Sequence, residues 1–368
     1  MEACSSNHPG LKTNIMTKKG VLYGMGNPLL DMTAVVDEAY LQKYDLQPNN
    51  AILAEDKHRP IYDELLNENY KVSYSPGGAT QNTIRVAQWY LREPESTSFV
   101  GCIGSDPPEF IIKDDKTGQD TFGDKLKSCM KKEDIRTNYL VDPNAPTGVC
   151  AVLITGGNRS LVTRLDAANE YKQSHLTSPG TWSLVTDASF YYIAGYFLTV
   201  SPDSMVEIGE HAVKENKCFS MNLSAPFLSQ FFKDPMKKVL PYCDIVFGNE
   251  DEARAFAKDF ELNTTDLAEI AKKVAAMPKK NSKRSRIVIF TQGAEPTVVF
   301  KDNKAKEYPV LPIASEKIID TNGAGDAFVG GFLAEYVQDK DIETCVNNGM
   351  HAAHMIIQVS GCTLPERQ

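Results

Sequence analysis

The stretch "DTNGAGDAFVGGFLAEY", Asp320–Tyr336, decides how this chain is read. Gly323, Ala324 and Gly325 carry little or no side chain, so their backbone N–H groups can approach an anion closely. The spacing of Phe328, Phe332, Leu333 and Tyr336 predicts a helix that starts directly after this loop. The first N–H groups of such a helix lack intrahelical partners and carry partial positive charge, so the loop is a seat for an anion. Asp326 then needs its own reason, because a bare carboxylate there would repel a phosphate. It is either a helix N-cap or a general base within reach of a hydroxyl attacking a phosphoryl group held over the N–H groups.

Upstream of the loop, strands and helices alternate. "SFYYIA", "KCFSMNL", "CDIVF" and "RIVIFT" read as buried strands, with helices around "DSMVEIGEHAVKEN", from Glu250 to Lys258 and from Asp266 to Met277. That alternation predicts an α/β fold with a large doubly wound, mostly parallel sheet. Polar or glycine punctuation follows each strand ("AGYF", "NLSAP", "GNEDE", "TQGAE"), and in such sheets these strand ends line the ligand-binding edge. "EKIID" is expected to be extended and to bring the glycine loop to that same edge.

The first half is more mixed. "VLYGMGN" and "STSFVGCIG" read as further core strands, and "ATQNTIRVAQWYLRE" as a helix turning Ile84, Val86, Ala87 and Tyr90 inward. "TAVVD", "KVSYSPGG", "TGVCAVLITGGNRS" and "LVTRL" alternate with few helices between them, which predicts a small antiparallel β-sheet. The expected organisation is a large α/β domain from 21–31, 76–137 and 167–368, and a small β-sheet lid domain from 32–75 and 138–166. Residues 1–20 are left unassigned.

Composition narrows the function. A net charge of -9 gives no footprint for a nucleic-acid backbone. The basic run "PKKNSKRSR", Pro278–Arg286, is expected to be a solvated connection between a helix and a strand. The longest apolar run, "FYYIAGYFLTV", is too short to cross a bilayer, and the start of the chain lacks the apolar core of a signal peptide. Eight cysteines without a C-x-x-C pair suit reduced thiols in the cytoplasm, with nuclear presence left open. His351 and His354 stand three apart on a helix but are not expected to bind metal. No G-x-x-x-x-G-K-[ST] loop occurs, and "GMGNPL" matches only the first two glycines of a dinucleotide fingerprint.

Three motifs together are similar to the signatures of the ribokinase-like (PfkB) carbohydrate kinases. They are "DTNGAGD", the glycine pair opening the helix "GGATQNTIRVAQWYL" (Gly77–Leu91), and N-x-x-E at Asn249–Glu252. They follow the family's order. The longer stretches "GMGNPLLDMTAVVD", "PTGVCAVLITGGNRSL" and "YYIAGYFLTVSP" resemble the branch of that family that phosphorylates adenosine in eukaryotes, and the likeness runs from about residue 22 to 363.

The resemblance implies a ribokinase-like fold and transfer of phosphate from ATP, with Mg²⁺, to the 5'-hydroxyl of adenosine, giving AMP and ADP. It casts Asp326 as base, the N–H groups of Gly323, Ala324 and Gly325 as anion hole, and Arg159 as the charge a closing lid brings to the phosphate. Arg159 could otherwise sit in a solvated turn. Ribose contacts fall to Asp31, which could equally be a turn former, and to Asn27, Gly77, Gly78 and Asn82. Ala79 departs from the serine expected after the glycine pair. An adenine slot is implied at Leu29, Leu53, Cys150, Leu161, Phe197 and Phe227, each also a plausible core residue. Asn249, Thr291, Gly293 and Gly325 would hold ATP, and Glu252, otherwise an exposed helix acid, would organise Mg²⁺ through water. A small sheet free to act as a lid favours a monomer. The alternatives are another sugar or nucleoside kinase of this fold, or a non-catalytic nucleoside sensor.

Overall fold

The computed structural model describes residues 18–48, 50–66, 70–105, 111–114, 118–156 and 158–366. Most of the unassigned N-terminal segment, Cys4 and Gly157 of "GGNRS" lie outside the described residues.

Apolar runs without alternation, such as "FYYIA" and "IVFGN", can be satisfied only where both faces of a strand are covered. Such strands form a nine-stranded sheet. Its order is Lys304–Tyr308, Glu295–Lys301, Ile287–Gln292, Ile245–Asn249, Cys218–Asn222, Phe190–Ala194, Leu22–Met25, Thr97–Val100 and Arg136–Thr137. All neighbours are parallel except the hairpin edge, where Ile287–Gln292, Glu295–Lys301 and Lys304–Tyr308 pair antiparallel. Apolar cores built on Tyr191, Ile193 and Phe219 and on Tyr192, Phe247 and Phe332 bury the two faces.

"EKIID" does not join this sheet. Ser315–Lys317 is a single 3₁₀ turn, and the main chain of Ile319 and Asp320 instead bonds the carbonyl of Ile357. The antiparallel hairpin ahead of it, which the sequence reading missed, occupies the sheet edge and carries the chain away.

A second, five-stranded sheet has the order Ala51–Leu53, Asn158–Arg164, Val149–Thr155, Leu29–Val35, Ser73–Gly77. It is mixed rather than antiparallel: Val149–Thr155 runs parallel to Leu29–Val35, and Asn158–Arg164 parallel to Ala51–Leu53. The parallel partners lie far apart in sequence, and the helices Glu38–Lys43 and Arg59–Leu66 fall between the first strands, so this region is not helix-poor. Tyr40, Leu41, Ile61 and Tyr62 from them cover Leu30, Met32, Ala151 and Val162 on one face of the sheet. The other face therefore presents the alternate residues, Leu29, Asp31, Cys150, Leu161 and Arg159 among them.

The basic run is the expected connection from helix to strand, largely exposed but anchored at Lys279 and Arg286. Lys279 bonds Asp244 at 2.6 Å, and the buried Arg286 donates to the carbonyls of Leu240, Cys243, Val274, Met277 and Pro278. A guanidinium satisfying five carbonyls fastens a helix end to the sheet. Among the described residues no helix is long and apolar enough to cross a membrane.

Candidate active site

The glycine loop opens into the helix Ala324–Tyr336, as its spacing predicts. Its N-cap is Gly323, whose φ of 78° lies in the left-handed region, so Asp326 is not the cap. Asp326 stands in the first turn instead, where the end of the helix favours a negative charge. Its Oδ2 accepts the Nδ2–H of Asn82 at 3.1 Å, and Thr83 Oγ1 donates to its carbonyl at 3.2 Å. Asn82, expected against ribose, thus also orients the acid. Of the expected anion-hole donors, the N–H of Ala324 is engaged by the Thr321 carbonyl at 3.2 Å. Gly325 faces open space, since a Cβ there would meet nothing within 4 Å.

The helix sits deep between its neighbours. A Cβ on Gly330 would come within 2.6 Å of Val86 Cβ, so only glycine lets it pack this closely on the helix Ala79–Leu91. That approach is what brings Asn82 to Asp326.

Gly77 and Gly78 end the strand Ser73–Gly77 and begin the next helix. A side chain on Gly77 would overlap the Asp31 carboxylate, and one on Gly78 the Asn27 carbonyl. Gly78 also has a φ of 91°. We expect Gly78→Ala to destabilise the fold by about 1–3 kcal/mol, read from urea midpoints, because strain and overlap coincide. The buried Gln81, which the sequence reading passed over, holds the turn by donating to the Gly77 carbonyl at 2.7 Å and accepting from Tyr139 at 2.8 Å. Asn27 Oδ1 and Asn82 Oδ1 are buried without a protein hydrogen-bond partner, which suits them to hydroxyl donors of a ligand.

Asn249 and Glu252 form a reciprocal cap. The Asn249 side chain accepts from the Glu252 N–H at 2.8 Å, and Glu252 Oε2 from the Asn249 N–H at 3.0 Å. N-x-x-E is therefore a capping box on the helix Glu250–Asp259, and Glu252 is buried rather than exposed. We expect Asn249→Ala to cost about 1 kcal/mol of stability, measurable by thermal melting. The pair also lines a cavity of about 60 Å³ with Asn222, Thr291, Gly325 and Phe328. Asn222 carried no sequence signal beyond its place at a strand end. Gly293 lies outside this lining, in the turn of the edge hairpin.

The expected adenine residues divide. Leu29, Leu53, Cys150 and Leu161 share the open face of the small sheet with Asp31, and Leu53 is 60% exposed. Phe227 is partly exposed, but Phe197 is 1% exposed and packs against Tyr171 in the main core. The outward aromatic of "AGYF" is Tyr196, with its ring centroid 6.4 Å from that of Phe227. In this 3₁₀ turn adjacent residues point apart, and sequence alone could not say which faces out. Arg159 lies within a strand, not a turn, is 6% exposed, and meets Asp320 at 3.3 Å.

Three carboxyls in this site are hard to ionise. Burial raises Asp31 to about 7, opposed by Arg85 and reinforced by Asp326 and Asp320. Burial likewise raises Asp326 to about 7, with the Asn82 hydrogen bond opposing and Glu252 adding. Glu252 is also raised to about 7 by burial, against the N–H groups of Asn249 and Ser224. Folded values above the unfolded ones mean that the folded state holds extra protons between about pH 4 and 7. The stability these groups contribute is fully present below about pH 4 and lost as pH rises through about 7. Urea midpoints of the ligand-free protein should carry this component; its absence would contradict the burial argument.

Residues 38–114 and 115–368 match the model of the pfkB family carbohydrate kinases. The chain is 51% identical over 348 residues to adenosine kinase 2 of Arabidopsis thaliana, covering 95% of this chain and 96% of that protein. It is 45% identical over 340 residues to the adenosine kinase of Dictyostelium discoideum, covering 92% and 95%. Among solved structures it is similar to Anopheles gambiae adenosine kinase in complex with P1,P4-di(adenosine-5) tetraphosphate, at TM-score 0.84 and 46% identity over 94% of this chain and 97% of that one. It is also similar to Schistosoma mansoni adenosine kinase in complex with adenosine and AMP, at TM-score 0.83 and 36% identity over 95% and 98%. A glycine loop that caps a helix, an acid oriented in its first turn and this likeness over nearly the whole length agree: the chain belongs to the PfkB family of carbohydrate kinases, within its adenosine kinase group.

Proposed function

We propose that the protein transfers the γ-phosphoryl group of ATP to the 5'-hydroxyl of adenosine, yielding AMP and ADP. The observation that carries this reading is Asp326, held by Asn82 in the first turn of a helix whose start faces open space at Gly325. An acid with a pKa near 7 can take a proton as a hydroxyl attacks, and helix N–H groups stabilise the charge that develops. Asp31 and the free oxygens of Asn27 and Asn82 bind the ribose. Leu29, Leu53, Cys150, Leu161 and Phe227 take the adenine, with Tyr196 facing the cleft in place of Phe197.

The small sheet acts as the lid, and Arg159 brings its charge to the transferring phosphate when the lid closes and water is excluded. Asn249, Thr291, Gly293 and Gly325 border the ATP side. Among the described residues no cluster of three or more His, Cys, Asp or Glu is arranged to hold a metal ion by itself. The donors present, Glu252 with Asn222 and Asn249, are oxygen ligands that fit Mg²⁺ arriving with the nucleotide and touching Glu252 through water. Bound there, Mg²⁺ would neutralise phosphate charge. The protein works as a monomer in the cytoplasm.

The test is ATP consumption with Mg²⁺ against adenosine, inosine, guanosine, 2'-deoxyadenosine and ribose. Strongest turnover with adenosine is expected; turnover with ribose alone would discard the base pocket. The kcat/KM for adenosine should also fall as pH drops below about 7, as Asp326 becomes protonated.

A further inference from the structure

Asp320 carries no role in the reading above, yet it links the small sheet to the glycine loop at the site. Its side chain is buried. Oδ1 accepts the Asn322 N–H at 3.0 Å and Oδ2 the Gly361 N–H at 2.8 Å. Oδ2 also stands 3.3 Å from Nε of Arg159, which comes from the small sheet.

Shaping the turn toward Asn322 needs only one carboxylate oxygen. The other is spent on Gly361 and on a buried guanidinium, which is costly to bury without a counter-charge. Contact through Nε engages one edge of the planar guanidinium and so fixes its orientation. The space over Gly325 stays clear.

We propose that Asp320 is a positioning residue that fixes Arg159 relative to the glycine loop, so that one carboxylate sets both the lid's charge and the anion seat it serves. The inference rests on the phosphotransferase reading. Asp320 does not touch the reacting atoms; it acts through Arg159.

A double-mutant cycle separates this role from simple support of the loop. kcat and adenosine KM are measured with Mg²⁺ and ATP for the wild type, Asp320→Asn, Arg159→Gln and the double variant. Asp320→Asn should lower kcat about 10- to 100-fold, the scale of a misplaced catalytic group, with a smaller change in KM. The same substitution made in Arg159→Gln should cost no further turnover. Equal fold-losses in both backgrounds overturn the proposal, because loop support would be lost either way, and so does unchanged kcat in Asp320→Asn. If Asp320→Asn does not fold, Asp320→Ser replaces it in the cycle; failure of both to fold makes the carboxylate a folding element and overturns the proposal. Absence of wild-type turnover sinks the phosphotransferase reading as well, whereas wild-type turnover with additive losses sinks only this inference.

Discussion

Asp326→Asn is expected to phosphorylate adenosine about 10²- to 10⁴-fold more slowly than the wild type while binding the nucleoside with nearly unchanged affinity. The amide is isosteric and can still meet Asn82, so the geometry of the first turn survives and only the proton acceptor is lost. Single-turnover kinetics beside a direct adenosine titration would separate the two quantities. Near-normal turnover would remove Asp326 from the chemistry and leave it as a charge at a helix start. A parallel loss of affinity would instead place it among the ribose contacts.

The largest effect on stability is expected from Arg85→Leu. Arg85 is buried, and its Nε and Nη2 donate to Glu133 at 2.8 and 2.7 Å. Its Nη1 donates to the carbonyls of Pro76 at 3.1 Å and Cys362 at 3.0 Å. One side chain therefore ties the strand leading to Gly77, the helix Phe122–Lys132 through the adjoining Glu133, and the segment beside the glycine loop. Breaking a buried ion pair from one side costs about 3–5 kcal/mol, and the partial exposure of Glu133 points to the lower end. Urea unfolding would show it. A loss below about 1 kcal/mol would mean that water replaces the guanidinium without strain.

Much of this architecture was legible because its signals are local. The buried runs around Tyr191, Phe219 and Phe247 became parallel strands, and the loop at Gly323 opened into the helix its spacing demanded. What sequence could not supply was pairing partners. The small sheet is mixed because Leu29–Val35 and Ala51–Leu53 pair parallel with strands far downstream, Val149–Thr155 and Asn158–Arg164, and the short helices Glu38–Lys43 and Arg59–Leu66 showed too little periodicity to be read. "EKIID" extends only in part, because Ser315–Lys317 closes a 3₁₀ turn that its residue pattern does not announce, yet the glycine loop reaches the cavity edge as read.

The site divided on the same line. Asp326, Gly78 and Asn249 were named from short motifs, while Gln81, Arg85, Asn222 and Tyr196 were not, since their importance arises from neighbours far away in sequence. Glu252 shows a motif carrying two meanings at once. The N-x-x-E spacing suits a helix cap, and the same cap aims a carboxyl into the cavity.

The bond from Gly361 N–H to Asp320 reaches 41 residues downstream of the loop it steadies. Chains emerge from the ribosome N-terminus first, and earlier parts fold while later ones are still being made. The strands of the small sheet are therefore all made before the glycine loop has its final brace. The glycine loop of a growing chain would reach its final geometry only once this last stretch had been synthesised and docked.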